Sequence, residues 1–301
     1  MRVPRPLRPL RGVVKRLMRW YLRMRVRHFG ITRSQAEQWT QHVKKWPAIF
    51  GEDSYGRDVI LDAGLVLNLR ITDVVERSLL TDGGWDEPVG AYLRHRLREG
   101  DCFVDVGAHI GYFSLLASRR VGSGGSVIAF EPSIRMLERL SHNVRRNRCS
   151  NTTIVSVALG AESGWSTLSC SAADNPGGAT LRPRNDGIWN ERVPVMRFDD
   201  LVGDQAPLPS VVKIDVEGYE LLVLRGMERT LKKASPAIVC EVSPRFLREQ
   251  GQSGPELIRF MATLGYGAHL LNADGTPGVA LPEAAPVLEG GDQLEVVFER
   301  E

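Results

Sequence analysis

The stretch "DCFVDVGAHIGYFSLL", Asp101 to Leu116, decides the fold. A short apolar run ends at Asp105, Gly107 follows at once, and Gly111 comes four positions later to open a second apolar segment. This is how a strand hands over to a helix through a glycine turn, the first unit of a doubly wound sheet. In such sheets a ligand lies beyond the carboxyl ends of the strands. Gly107 permits a tight turn with close backbone approach, and the amides of the following helix start favour negative charge. Asp105, Gly107, Ala108 and Gly111 are therefore candidate ligand contacts.

Outward from this turn the rhythm is strand–helix–strand. Strands are expected over 102–106, 126–130, 153–157, 211–216 and 237–242, with helices over 111–119, 134–147, 219–233 and 255–264. Apolar strands alternating with helices predict a parallel sheet covered on both faces. Two further strand-like pieces, 267–272 and 293–300, have no helix between them. The expected fold is thus α/β and Rossmann-like, a seven-stranded, mostly parallel sheet ending in an antiparallel hairpin. Before the turn, 58–70 has the β-branched content and turn residues of a hairpin, and 89–100 reads as an amphipathic helix closed by glycine. The piece from 160 to 209, rich in Gly, Asn and Pro, is expected to be an irregular substrate-side loop. The tail 273–291 is expected to be a surface connector.

The domain reading is an arm over 1–50, basic and partly helical, and one sheet domain over 51–301 with a lead-in over 51–100. The arm carries much of the charge. Residues 1–36 hold eleven Lys/Arg and no acid, which leaves 28 basic against 36 acidic residues in the rest of a 301-residue chain. That acidic body argues against nucleic-acid binding. Apolar residues from Val13 to Met24 recur at helical spacing among basic ones, so residues 11–29 are expected to be a solvated arm, a helix docked on the body or a second subunit, or an interfacial helix on an anionic membrane surface. No stretch is apolar enough for a signal sequence or a membrane span. Four scattered cysteines without a CxxC pair indicate buried thiols in a reducing, cytoplasmic setting, with peripheral membrane contact as an option through the arm.

Glu131 ends the second strand of the unit, where an acid accepts hydrogen bonds from ribose hydroxyls. NAD and S-adenosylmethionine both place a ribose there. The spacing Gly107-Ala-His-Ile-Gly111 is not GxGxxG and lacks a pyrophosphate cradle. A carboxylate at Asp105 repels pyrophosphate and suits an ammonium and a sulfonium, so S-adenosylmethionine is the expected cofactor. Ala158, after the third strand, is placed near the adenine edge.

"FVDVGAHIGYFSLLAS", "VIAFEPSIRMLERLSHNVRRN", "VALG", "FDDLV" and "VVKIDVEGYELLVLRGM" resemble, in order and spacing, the FkbM family of S-adenosylmethionine-dependent methyltransferases. The resemblance covers roughly residues 85–242, and KIDVEGYE followed by LRG is its most specific piece. It implies a class I methyltransferase fold and methyl transfer to a hydroxyl of a sugar, polyketide or other small molecule. Transfer to nitrogen or to a carboxylate is the rival chemistry, and a non-catalytic scaffold binding a membrane or partner is the rival class.

A hydroxyl acceptor needs a general base, worth about 10²–10⁴-fold. Asp215 and Glu217, at the mouth of the fourth strand, are the candidates, with Asp215 also placed at the methionine end of the cofactor. His109, between the two turn glycines, is a third candidate, as base, cofactor contact or structural hydrogen-bonder. Lys213 is expected to pair with a carboxylate under the site and Glu220 to lie on a helix surface or in packing. Asp215 and Glu217 could instead share a divalent cation, but two visible carboxylates are few for a hard metal, and no metal ligand is assigned. Asn175, Gly177 and Gly178 are expected to lid the acceptor site, with Trp165 and Trp189 flanking it.

Overall fold

The computed structural model describes residues 57–61, 64–70, 73–170, 178–181, 187–202, 207–290 and 293–300. The arm over 1–50, Asn175 and Gly177 lie outside them.

A hairpin, β1 (Arg57–Ile60) and β2 (Val66–Leu69), precedes helices α1 (Val74–Asp82) and α2 (Glu87–Arg96). Asp73 caps α1 by accepting from the Glu76 amide, and Gly83 in the left-handed region ends it. Then β3 (Cys102–Val106), α3 (Tyr112–Val121), β4 (Ser126–Phe130), α4 (Ile134–Arg146) and β5 (Thr152–Val155) alternate as expected. The run from β6 (Ala158–Leu159) through β7 (Gly164–Cys170) and β8 (Trp189–Met196) ends at α5 (Phe198–Leu201). After β9 (Val211–Ile214) come α6 (Glu220–Gly226), α7 (Glu228–Ala234), β10 (Ala237–Val242), α8 (Pro244–Glu249) and α9 (Gly254–Thr263). The chain closes with β11 (Tyr266–Leu271), β12 (Pro277–Ala280) and β13 (Leu294–Arg300).

The main sheet has eight strands in the order β12-β11-β13-β10-β9-β3-β4-β5. From β10 through β5 every pair is parallel, while β13 runs antiparallel between β10 and β11. All seven expected strands are present. The eighth is β12, which pairs with β11 inside the segment expected to be a plain connector. Strand residues alternate between two cores. Phe103, Val211 and Val239 face the layer of α2, α3 and α4, whereas Val104, Val212 and Cys240 face the layer of α6 to α9. The central strands are buried on both faces, which explains their unbroken apolar runs.

Two other expectations need correction. Among its described residues the piece over 160–209 is not irregular throughout. Its β7 and β8 pair antiparallel over seven residues, β6 joins β8, and Ala158, Leu168, Leu181, Val193 and Val195 form their own small core. Val193 and Val195 are buried on alternate positions with Pro194 between them, a strand signal that the surrounding Gly and Pro obscure. The helix expected over 219–233 is two helices meeting at Met227. Gly226 is where α6 passes the β6 turn, since a Cβ there would lie 2.0 Å from the Gly160 carbonyl oxygen. Helices α1 and α8 are additions to the sequence reading.

Strand order reverses between β3 and β9. The chain runs from β3 outward to β5 and returns to pair β9 on the other side of β3. Val106 and Ile214 are register partners there, and the Asp215 amide donates to the Val106 carbonyl at 3.1 Å. The two chains therefore leave the sheet side by side, and the crevice opens above them.

Candidate active site

The crevice over β3, β4 and β9 has a volume of about 220 Å³. Gly107, Ala108, His109, Glu131, Ala158, Asp215 and Glu217 all line it, so seven of the nine predicted site residues come together there. Asp105 and Gly111 do not. Asp105 is buried beneath the turn, accepts from Ser114 Oγ at 2.5 Å and lies 3.7 Å from Lys213 Nζ. Its nearest charged partner is therefore Lys213, which does line the crevice. Gly111 starts α3 against Leu140, which a Cβ would meet at 2.5 Å.

Gly107 is required by close approach. Its φ is +79°, and a Cβ would sit 1.9 Å from the Asp215 carbonyl oxygen. The turn is fixed from three sides. The Gly107 and Ala108 amides donate to the Phe130 carbonyl, the His109 amide donates to Glu131 Oε2 at 2.8 Å, and Asn143 Nδ2 donates to the Ile110 carbonyl at 2.8 Å. Asn143 Oδ1 accepts from the Asn68 amide, so the lead-in hairpin and the turn are joined through one side chain of α4. Beside it, Arg139 and Glu76 form a buried ion pair, and Arg139 Nη2 donates to the Asn68 carbonyl at 2.6 Å.

Glu131 accepts two backbone amides, from His109 and Ser133, and keeps the remaining lone pairs of both oxygens for the crevice. Burial pushes its carboxyl up to about 7. His109 has left-handed φ, +51°, and burial lowers its imidazole to about 4, so it is neutral and a weak proton acceptor. An imidazole so lowered is a weaker base than a free histidine, and the residue lines the crevice beside the turn.

Lys213 is the ammonium at the centre. It is 6% exposed at the side chain, lies 3.1 Å from Asp215 Oδ2 and donates to the Gly107 carbonyl at 3.4 Å. Burial opposes its charge, but Asp215 and Asp105 outweigh burial and hold the proton on. Glu217 lies on a left-handed residue, φ +53°, just past the end of β9. Its carbonyl accepts from Thr180 Oγ1 at 2.9 Å, and the next amide, Gly218, donates to Glu220 Oε1 at 2.7 Å. Glu220 is thus a buried prop of the turn and not a surface residue. Burial, then Asp215 and Glu220, push the Glu217 carboxyl up to about 8.

Sequence reasoning missed Glu241, Gln293, Trp85, Tyr219 and the Leu168–Leu181 wall, all of which line the crevice. Glu241 sits near the carboxyl end of β10, next to β9, which strand order alone would have flagged. Burial and then Asp215 push its carboxyl well up. Trp165 and Trp189 are elsewhere, each under an arginine, Arg192 and Arg135. Glu87 pairs with Arg94 at the surface. The four cysteines are free and buried. Among the described residues no helix is long and apolar enough to cross a membrane.

The arrangement fits a cationic nucleoside. It offers acids at two strand ends, small residues along the turn, an unpartnered buried imidazole nitrogen on His109, and no amide cradle for pyrophosphate. The chain is also similar to known methyltransferases. The model of the methyltransferase FkbM domain matches residues 105–267. Hexuronic acid methyltransferase AglP of Haloferax volcanii is 28% identical over 178 residues, 59% of this chain and 71% of that protein. Methyltransferase sdnD of Sordaria araneosa is 28% identical over 156 residues, and the chain spans 60% of its length. The crystal structure of an FkbM methyltransferase from Methylobacillus flagellatus KT aligns with a TM-score of 0.41 at 18% identity, over 74% of this chain and 52% of that one.

Proposed function

Since the chain belongs to the FkbM family of methyltransferases, we propose that it moves a methyl group from S-adenosylmethionine to a hydroxyl of a sugar-like small molecule. The observation that carries this reading is the charge of the crevice. Asp215, Glu217 and Glu241 line it together, and the cation among its described lining residues is Lys213, already paired with Asp215. A carboxylate acceptor would enter with no free partner, whereas a hydroxyl donates its proton to these groups. The hexuronic acid named for the Haloferax relative supports a sugar, and because that sugar bears a carboxyl group it makes transfer to carboxylate the rival that the test below must separate.

When bound, S-adenosylmethionine supplies a methyl on a positively charged sulfur, already activated for displacement. The protein must hold, align and deprotonate. Glu131 would accept from ribose hydroxyls, Gly107 and Ala108 give close backbone approach, and Ala158 and Leu159 flank the adenine side. Asp215, fixed by Lys213, faces the methionine end. Alignment of acceptor and donor can supply about 7–11 kcal/mol. Glu217, with a carboxyl near 8, is matched to take the acceptor's proton around neutral pH. Methyl transfer would send the hydroxyl proton to the Glu217 carboxylate as the oxygen–carbon bond forms, with the electron pair of the broken carbon–sulfur bond left on sulfur.

The test is calorimetric titration with S-adenosylhomocysteine and, separately, NAD⁺, followed by tritiated methyl transfer to a panel of neutral, amino and uronic sugars. Saturable heat with the first ligand alone, and label appearing on hydroxyl oxygen, support the reading. Saturable heat with NAD⁺ alone, or label on carboxylate, rejects it. Asp215→Asn should hold S-adenosylhomocysteine within about tenfold yet lose most turnover.

A further inference from the structure

The end of β10 adds a third acid to the two of the 215–217 turn. One carboxylate oxygen from each of Asp215, Glu217 and Glu241 lies within 4.8 Å of the others, and all three residues are half-buried. Lys213 Nζ holds Asp215 Oδ2 at 3.1 Å and Gln293 Nε2 donates to Glu241 Oε1 at 2.7 Å. Two of the three carboxylates are thus oriented through one oxygen with the other left over, as outer partners orient metal ligands.

A second, independent observation lies in the same crevice. His109 Nε2 is fully buried and has no hydrogen-bond partner, and the residue lines the same crevice as the three acids. A buried polar atom left unpaired costs about 1–3 kcal/mol, so the position calls for a polar occupant. Lys213, already between Asp105 and Asp215, is the positive charge facing this set among the described lining residues.

We propose that Asp215, Glu217 and Glu241 hold a divalent cation of the hard, oxygen-seeking kind, with His109 Nε2 facing the water or hydroxyl that completes its shell. Three carboxylates with no thiol among them suit magnesium, manganese or calcium over soft metals. Each carboxylate commits one oxygen, which leaves the second oxygen of Glu217 free to take a proton. The cation's role, placing the acceptor hydroxyl and easing its deprotonation, rests on the methyl-transfer reading; its binding does not.

The experiment is manganese titration of the full chain, metal-stripped and saturated with S-adenosylhomocysteine, followed by the loss of the free-ion paramagnetic resonance signal. The wild type should show one saturable site with a dissociation constant of about 10⁻⁴ M or tighter. Glu241→Gln should weaken it about tenfold or more, while Glu283→Gln, far away in a surface pair with Arg259, should change nothing. Glu217→Gln repeats the test should Glu241→Gln unfold, which its melting curve reports. No saturable site in the wild type, or equal loss in Glu241→Gln and Glu283→Gln, overturns the proposal. Manganese bound without S-adenosylhomocysteine heat would keep this site and discard the methyl-transfer reading; heat without manganese would do the reverse.

Discussion

Lys213→Met removes the ammonium from the centre of the site and leaves its partners behind. Asp105 is 1% exposed, with Oδ1 lacking any hydrogen bond, and Asp215 loses its 3.1 Å partner. Methionine fills nearly the same volume, so packing against Phe113, whose ring lies 5.3 Å from Nζ, is largely kept. Breaking a buried pair from one side costs about 3–5 kcal/mol, and at about 2 °C per kcal/mol the melting temperature should fall by at least about 6 °C. The pH dependence identifies the cause. Burial already raises the Asp105 carboxyl and Lys213 pulls it back. Without Lys213 it rises further, the folded state holds a proton the unfolded state releases, and stability drops as pH climbs. The gap between variant and wild type should be small near pH 5 and wide near pH 8, measured by calorimetry across that range. Adding Asp105→Asn should narrow it. A gap independent of pH, or unmoved by Asp105→Asn, would refute the charge argument and leave only lost packing.

Gly107→Ala should abolish S-adenosylhomocysteine heat and lower the melting temperature, because its Cβ would lie 1.9 Å from the Asp215 carbonyl oxygen. A variant with wild-type binding would mean that the turn can open. With chelator present, wild-type stability should decline between about pH 4.5 and 8, because Glu217 is raised from 4.5 to about 8 and folding therefore favours its protonated form. Glu217→Gln should flatten that slope in a pH series of urea melts, and an unchanged slope would remove Glu217 as its source. Asn143→Leu strips partners from the Ile110 carbonyl and the Asn68 amide. It should cost about 2–4 kcal/mol in urea unfolding and speed hydrogen exchange at both positions; loss at only one would break the proposed link between hairpin and turn.

The strands of the parallel half were legible because burial on both faces writes itself as uninterrupted Val, Ile and Phe, as in Phe103–Val106 and Val211–Ile214. The turn was legible because only a glycine fits against the Asp215 carbonyl. What stayed hidden was set by distant partners. Asp105 looked like a ligand contact until Ser114 and Lys213 were seen to close over it. Glu241 gives no local motif, since its meaning comes from β10 lying beside β9. The strands of the small sheet were masked by Pro194 and by the Gly-rich approach to them, and β12 by the prolines around it, residues that single-chain patterns read as loop.

The most direct measurement is a crystal structure of the full chain grown with S-adenosylhomocysteine. The account predicts its ribose against Glu131, its adenine beside Ala158 and its sulfur facing Asp215. A crevice filled by protein side chains, or the nucleoside bound away from Glu131, would contradict it.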